Sequence, residues 1–212
     1  MPDQTSVAVL GFRPHTYWTA AVALAGQRNS PQVVHRRRIV FAFDKERFVY
    51  HRAAEAAPAE VFALIEEVRA ATQANAAREI GDLVADLGRS GLRARIAVTP
   101  ASTANPAETL TDILRSHSSI HSAEGNFYRD VVASACEAAG LEVRRVRERE
   151  LPGLLRALLP DEPSVEIRLR AMGAALGPPW SEDYKLATQA AWLHLEDHNQ
   201  EEHSEYSVGA RV

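Results

Sequence analysis

The sequence predicts an α/β fold, a mixed five-stranded sheet with helices on both faces. Three observations predict it. Two alternating apolar segments meet at a short turn, VAVLGF before Arg13-Pro14-His15 and TYWTAAVAL after it. Two further short apolar segments, LRARIAVT and LEVRRV, each follow a long stretch of helical spacing. After residue 147 only helical spacing remains. The order is three strands, helix, strand, helix, strand, helices, which suits a hairpin leading into parallel strands with helical crossovers.

The first two strands, 5–12 and 15–25, form a hairpin, with Pro14 fixing the backbone at the turn and removing a ladder donor. VVHRRRIVFAF (33–43) makes a third strand, and RFVYH (47–51) continues it or folds back on it. A helix is expected to start near Pro58, which suits a first helical position. Val61, Leu64, Ile65 and Val68, then Ile80, Leu83, Val84 and Leu87, keep helical spacing. A break near Ala74–Ala76 is expected, because one helix to Leu87 would be unusually long. Gly88 and Gly91 end the segment. Residues 92–99 form the fourth strand and 100–106 a loop. Residues 109–139 are helical, in one or two pieces, and Gly140 closes them. Residues 141–146 form the fifth strand, and helices follow near 148–159, 162–175 and 181–195.

The chain has 212 residues, 46% of them hydrophobic, enough for one large domain with a substantial core. Residues 1–196 read as that domain and 197–212 as an acidic, disordered tail with almost no apolar surface to bury. No run approaches the roughly 18–20 apolar residues that span a bilayer, so no membrane partner is expected. The first residues lack the basic segment of a secretory signal. The single cysteine, Cys136, excludes an internal disulfide framework, and the cytosol is the expected location. Net charge is −4, but Glu196–Val212 holds five acids and one base, which leaves 23 acids and 23 bases elsewhere. A neutral body lacks the footprint of a strong non-specific nucleic-acid binder. P-loop, GxGxxG, CxxC and GxSxG motifs are absent.

The turn Gly11-Phe12-Arg13-Pro14-His15 resembles that of the bacterial Holliday-junction resolvases, and more loosely the RNase H-like superfamily, where Gly, an apolar residue, Asp, Pro and Gly stand. SAEGNFYRDVVASACEAAGLEVRRVRERELPGLL resembles that family's helix, strand and start of the next helix, and SEDYKLATQAAWLHL resembles its closing helix. The likeness spans most of residues 5–195. It implies an RNase H-like fold with strands 1–3 antiparallel and strands 1, 4 and 5 parallel. It also implies a site at the strand ends, where the family cuts phosphodiesters with two metals held by four carboxylates. Matched position by position, Arg13 replaces the first acid and Ala97, Val98 and Thr99 stand where the second belongs. Asp183 matches the third and Leu186 replaces the fourth. One carboxylate cannot hold two hard cations.

The resemblance therefore implies a catalytically degenerate RNase H-like, resolvase-like protein that acts by binding or scaffolding, without metal or cofactor. Its ligand would meet the strand ends around Arg13, Glu124 and Asp183. The alternative is a divalent-metal nuclease with a relocated site built from Asp183, Glu124 and a histidine, for which Mg²⁺ would be the cofactor. A small-molecule enzyme using the same edge without metal is a third reading. The partner is left open between nucleic acid and protein, and a homodimer is compatible with the sequence.

The candidate ligand-binding residues are Arg13, His15, His121, Glu124, Tyr128, Arg129 and Asp183. Arg13 beside His15 could hold a phosphate or carboxylate; the ordinary alternative is a solvated turn arginine, or one paired with Asp183. His117, His121, Glu124 and Tyr128 fall on one helical stripe, which could supply metal ligands but lacks the HExxH arrangement; a solvated flank is the default. Ser181, Glu182 and Asp183 also fit simple helix capping. Arg36–Arg38 and the arginines around the fifth strand could touch phosphates or protect an exposed edge. Trp18, Trp180, Trp192 and Cys136 suit packing. Truncation before Asn199 should leave the melting temperature nearly unchanged; a large drop would show that the tail docks.

Overall fold

The computed structural model describes residues 6–42, 47–103, 108–159 and 165–196; the predicted tail, 197–212, lies outside them. Strands β1 (Ser6–His15), β2 (Trp18–Gln27) and β3 (Ser30–Val40) form an antiparallel meander. Strands β4 (Leu92–Pro100) and β5 (Glu142–Val146) add in parallel on the other side of β1. The sheet order is β3-β2-β1-β4-β5, with β1 central. This is the mixed RNase H-like arrangement expected from the sequence.

Helices α1 (Val49–Glu55), α2 (Val61–Arg89), α3 (Leu110–Arg115) and α4 (His117–Ala138) cover one face. Helices α5 (Leu151–Leu158), α6 (Val165–Leu176) and α7 (Glu182–Trp192) cover the other. Strand alternation feeds both layers. Leu10 and Phe12 of β1, with Ala97 of β4, pack among Ile80, Leu83, Phe127 and Val131 on the α2–α4 side. Val9 and Val98 pack among Leu151, Leu155, Ala187 and Trp192 on the α5–α7 side.

Three expectations are corrected. Residues 47–51 do not extend β3, since Val49 opens α1 and is buried together with Ala53, one turn on. The helix begins at Val61, not near Pro58, which lies in the preceding turn. It also runs unbroken for 29 residues, about 43 Å at the usual rise. Thr72 and Ala76, which flank or fall in the expected break, are both fully buried, so packing continues the helix where the spacing faltered. The piece from 109 to 139 does divide, at Ser116, which caps α4 by accepting from the Ser119 amide.

The arginines of β3 serve the fold. The Arg36 guanidinium donates to the carbonyl oxygens of Leu176, Gly177, Pro178 and Pro179, holding the α6–α7 connection against the sheet edge. Arg37 pairs with Glu79 at 2.9 Å, fastening β3 to α2, and Arg38 lies over the Trp18 ring. Trp180 packs on Gly173 and donates to the Leu169 carbonyl oxygen; Trp192 is fully buried and donates to that of Arg28. Cys136 is fully buried, and burial pushes its thiol pKa up, so it is inert packing. Among the described residues no helix is long and apolar enough to cross a membrane.

One contact sets the position of α7. Gly11 on β1 lies against the α7 backbone, where a Cβ would overlap the Ala187 carbonyl oxygen and sit 3.0 Å from the Ala191 amide nitrogen. Helix and strand meet there with no side chain between them. Gly11→Ala should therefore destabilise the protein by about 1–3 kcal/mol or more, as overpacking against backbone does. Urea denaturation measures this, and an unchanged midpoint would show that α7 shifts freely.

Candidate functional site

The close packing of α7 on β1 brings the start of α7 to the C-terminal end of β1. Asp183 lies one turn before Ala187 and meets the side chains of Arg13 and His15, which share a face of β1. Arg13 donates from a terminal nitrogen to Asp183 Oδ1, and its Nε lies 3.3 Å from Glu148 Oε1. The Asp183 contact is a hydrogen bond; the Glu148 contact is an ion pair without aligned hydrogen-bond geometry, because the Arg13 Nε–H donates to no partner at bonding angles. His15 Nε2 is 2.8 Å from the same Asp183 oxygen and 2.9 Å from Arg13. A neutral imidazole nitrogen either donates or accepts, so donation to Asp183 makes the Arg13 approach a packing contact. Ser181, the residue before α7, sends its hydroxyl toward Asp183 Oδ2 at 3.3 Å rather than capping the backbone.

Burial pushes the Asp183 carboxyl pKa up, but the hydrogen bonds and charges of His15 and Arg13 outweigh it and hold the group below the usual carboxylate range. The His15 ring stacks on Trp18, 4.4 Å between centroids, and Arg38 covers Trp18 from 4.2 Å. Tyr17 takes the left-handed backbone at φ 66° and lies under Arg47, and its carbonyl oxygen accepts from the Phe41 and Ala42 amides.

The residues at this edge do not fit a two-metal centre. The Arg13 guanidinium lies between Asp183 and Glu148. The adjoining space is lined by the apolar side chains of Leu151, Leu186, Pro100 and Val146, which offer no ligand to a cation. Thr99, near the end of β4, is fully buried and its hydroxyl has no hydrogen-bond partner.

The other candidates lie elsewhere. Glu124, Tyr128 and Arg129 belong to α4, on the opposite face of the sheet from α7, so the sheet lies between Glu124 and the Arg13–Asp183 pair. Neither the ligand site nor the relocated metal site that joined them is assembled. Glu124 is 3% exposed; its Oε1 accepts from the Tyr50 amide at 2.8 Å and from the His51 amide at 3.3 Å, capping α1 across space. Burial pushes its pKa up, against the pull of these bonds. Tyr128 is fully buried and donates to the Arg47 carbonyl oxygen at 2.8 Å. Arg129 donates to Asn126 and Thr103, and Asn126 accepts from the Thr103 amide, fixing the loop after β4. His121 is exposed and lies 3.0 Å from His117, nitrogen to nitrogen.

Sequence reasoning missed Glu148 and His51. Glu148 sits just past the end of β5, where parallel strands present side chains to the site, and that position was the available signal. His51 comes from a segment read as strand.

No family model matches the sequence, and no curated protein matches it. Among solved structures, a Thermus thermophilus RuvC in complex with Holliday junction substrate is similar to this chain at 13% identity and a TM-score of 0.48, covering 89% of this chain and 92% of that one. A second Thermus thermophilus RuvC structure is similar at 12% identity and a TM-score of 0.42, covering 88% and 92%. Both likenesses are distant.

The depressed Asp183 pKa has a signed consequence. Stability from its ionised form is fully present above the unfolded carboxylate pKa, about 3.9, and is lost as pH falls through the folded value. The stability gap between the parent and Asp183→Asn should therefore be wide at pH 7 and narrow near pH 3. Urea midpoints at the two pH values measure it; an equal gap would show that the carboxylate charge contributes nothing.

Proposed function

We propose that this chain is a catalytically degenerate RNase H-like protein that acts by binding or scaffolding and does not cut phosphodiesters. One observation carries the reading: Arg13 stands where the resemblance puts a metal-binding acid and is ion-paired with both Asp183 and Glu148. A guanidinium there repels a divalent cation and takes up the carboxylates that would hold it. The same cluster joins β1, the segment after β5 and the start of α7, so the strand ends are held together by side chains of the chain itself. The surface beside it offers His15, Trp18 and Arg38 as stacked planes with Tyr17 and Arg47 alongside, the chemistry that meets either a nucleobase or a protein partner. The sequence favours a cytosolic setting.

The purified protein should leave branched DNA, duplex DNA and RNA uncut with Mg²⁺ or Mn²⁺. Fluorescence anisotropy on the same substrates tests the nucleic-acid class: binding without cleavage assigns nucleic acid, and its absence removes nucleic acid as the partner. Metal-dependent cleavage that disappears in Asp183→Asn would overturn the reading. Arg13→Asp should cost about 1–3 kcal/mol, since it sets like charges together at a partly buried site. Added Mg²⁺ should recover part of that loss by bridging the new carboxylate to Asp183 and Glu148. A variant as stable as the parent, and indifferent to Mg²⁺, would show that Arg13 closes nothing.

A further inference from the structure

On the face away from Arg13, three histidines converge. His51 is on the first turn of α1, and His117 and His121 are one turn apart at the start of α4. One ring nitrogen from each lies within 4.8 Å of the other two, and among the described residues this is the one group of three His, Cys, Asp or Glu side chains close enough to share an ion. His117 Nε2 and His121 Nε2 are 3.0 Å apart. Two imidazole nitrogens on a tetrahedral Zn²⁺, each at about 2.0–2.1 Å, stand about 3.3 Å from one another. The rings of His51 and His121 are 4.9 Å apart and those of His51 and His117 are 5.6 Å apart, both edge to face, so no ring stacks over another.

A second observation comes from beneath the cluster. Glu124 is buried, and its Oε1 lies 3.3 Å from His51 Nδ1. A carboxylate accepting from Nδ1–H fixes the imidazole tautomer that leaves Nε2 its lone pair, the arrangement that commonly backs a zinc-bound histidine. The other oxygen of Glu124, Oε2, is buried and accepts no hydrogen bond. Among the described residues, the amides of α1 and the His51 imidazole are the groups set against this carboxyl beneath the three rings. The N-terminal ends of α1 and α4 both oppose a cation here through their dipoles; Glu124 supplies the compensating charge.

We infer that His51, His117 and His121 form a Zn²⁺ site, with Glu124 orienting His51 and water at the fourth position. Imidazole ligands select a borderline cation over Mg²⁺ or Ca²⁺. His117 and His121 are exposed, so the ion is reached from solvent without opening the fold. Bound there, it clamps α1 to α4 and joins two segments far apart in sequence. The site shares no residue with the Arg13 cluster, and it stands or falls independently of the binding role proposed above.

The test uses the full-length chain. Equilibrium dialysis should find one tight Zn²⁺ per chain, and Co²⁺ substitution should give the visible absorption of a four-coordinate ion. Zn²⁺ should also raise the melting temperature, because the unfolded chain has no such site. His121→Ala and His51→Ala should each weaken binding tenfold or more and remove the Co²⁺ bands. Glu124→Gln, which keeps an amide-accepting oxygen, should weaken Zn²⁺ by about 10–100-fold. Circular dichroism identifies any variant that fails to fold, and His121→Ala changes an exposed side chain outside the core. His51→Ala binding as tightly as the parent would reduce the site to an i, i+4 histidine pair and overturn the inference. Stoichiometric binding unchanged in His121→Ala would place the ion elsewhere, and no stoichiometric binding would remove the site; either result also overturns it.

Discussion

The backbone contact between Gly11 and Ala187 governs the rest of the structure. A Cβ at position 11 would overlap the Ala187 carbonyl oxygen, so any side chain there pushes α7, and with it Asp183, away from the central strand. Because α7 lies directly on β1, the start of the helix meets the end of the strand at hydrogen-bonding distance. The apolar residues around this contact, Val9, Val98, Leu155 and Trp192, bury the helix on the sheet and keep the approach close. The polar cluster depends on that packing: charged groups held at short range and partly out of water interact far more strongly than they would in solvent.

The central strand also separates the chemistry of the molecule. Its alternation sends Leu10 and Phe12 to the α1–α4 layer, and Val9, Gly11, Arg13 and His15 to the α5–α7 layer. Everything built on α4 therefore lies across the sheet from everything built on α7. Glu124 satisfies the amides that open α1, because Phe48, the residue before that helix, has no polar side chain with which to do so. Its role is to bring α1 onto α4, which also sets His51 beside His117 and His121.

Much of this was legible in the sequence. The hairpin and the two further strands follow from alternation and from apolar runs bounded by glycine, their order in the sheet was what the family resemblance implied, and the pairing of Arg13 with Asp183 was one of three readings of the turn. What stayed hidden depends on distant partners. The helical state of residues 49–55 rests on a carboxylate supplied by α4, so local alternation misread it as strand. The continuity of α2 rests on buried Thr72 and Ala76, small residues whose weight in a hydrophobic pattern is slight. Placing Glu124 with Arg13 failed because a stripe on one helix says nothing about which face of the sheet that helix covers. Glu148 carries no periodicity, and its place just past β5 was the one signal that marks it.

The Arg36 guanidinium bears on how the fold is kept once formed. Its four carbonyl partners lie 140–143 residues further along the chain. Joining segments that distant costs loop entropy before any bond is gained, so the contact closes only after the sheet edge and the last two helices have met. An interaction made that late leaves the folding rate nearly untouched and acts on the rate of escape from the native state. A contact absent from the folding transition state would act as a brake on unfolding, and this one sits at β3, the edge strand of the sheet among the described residues.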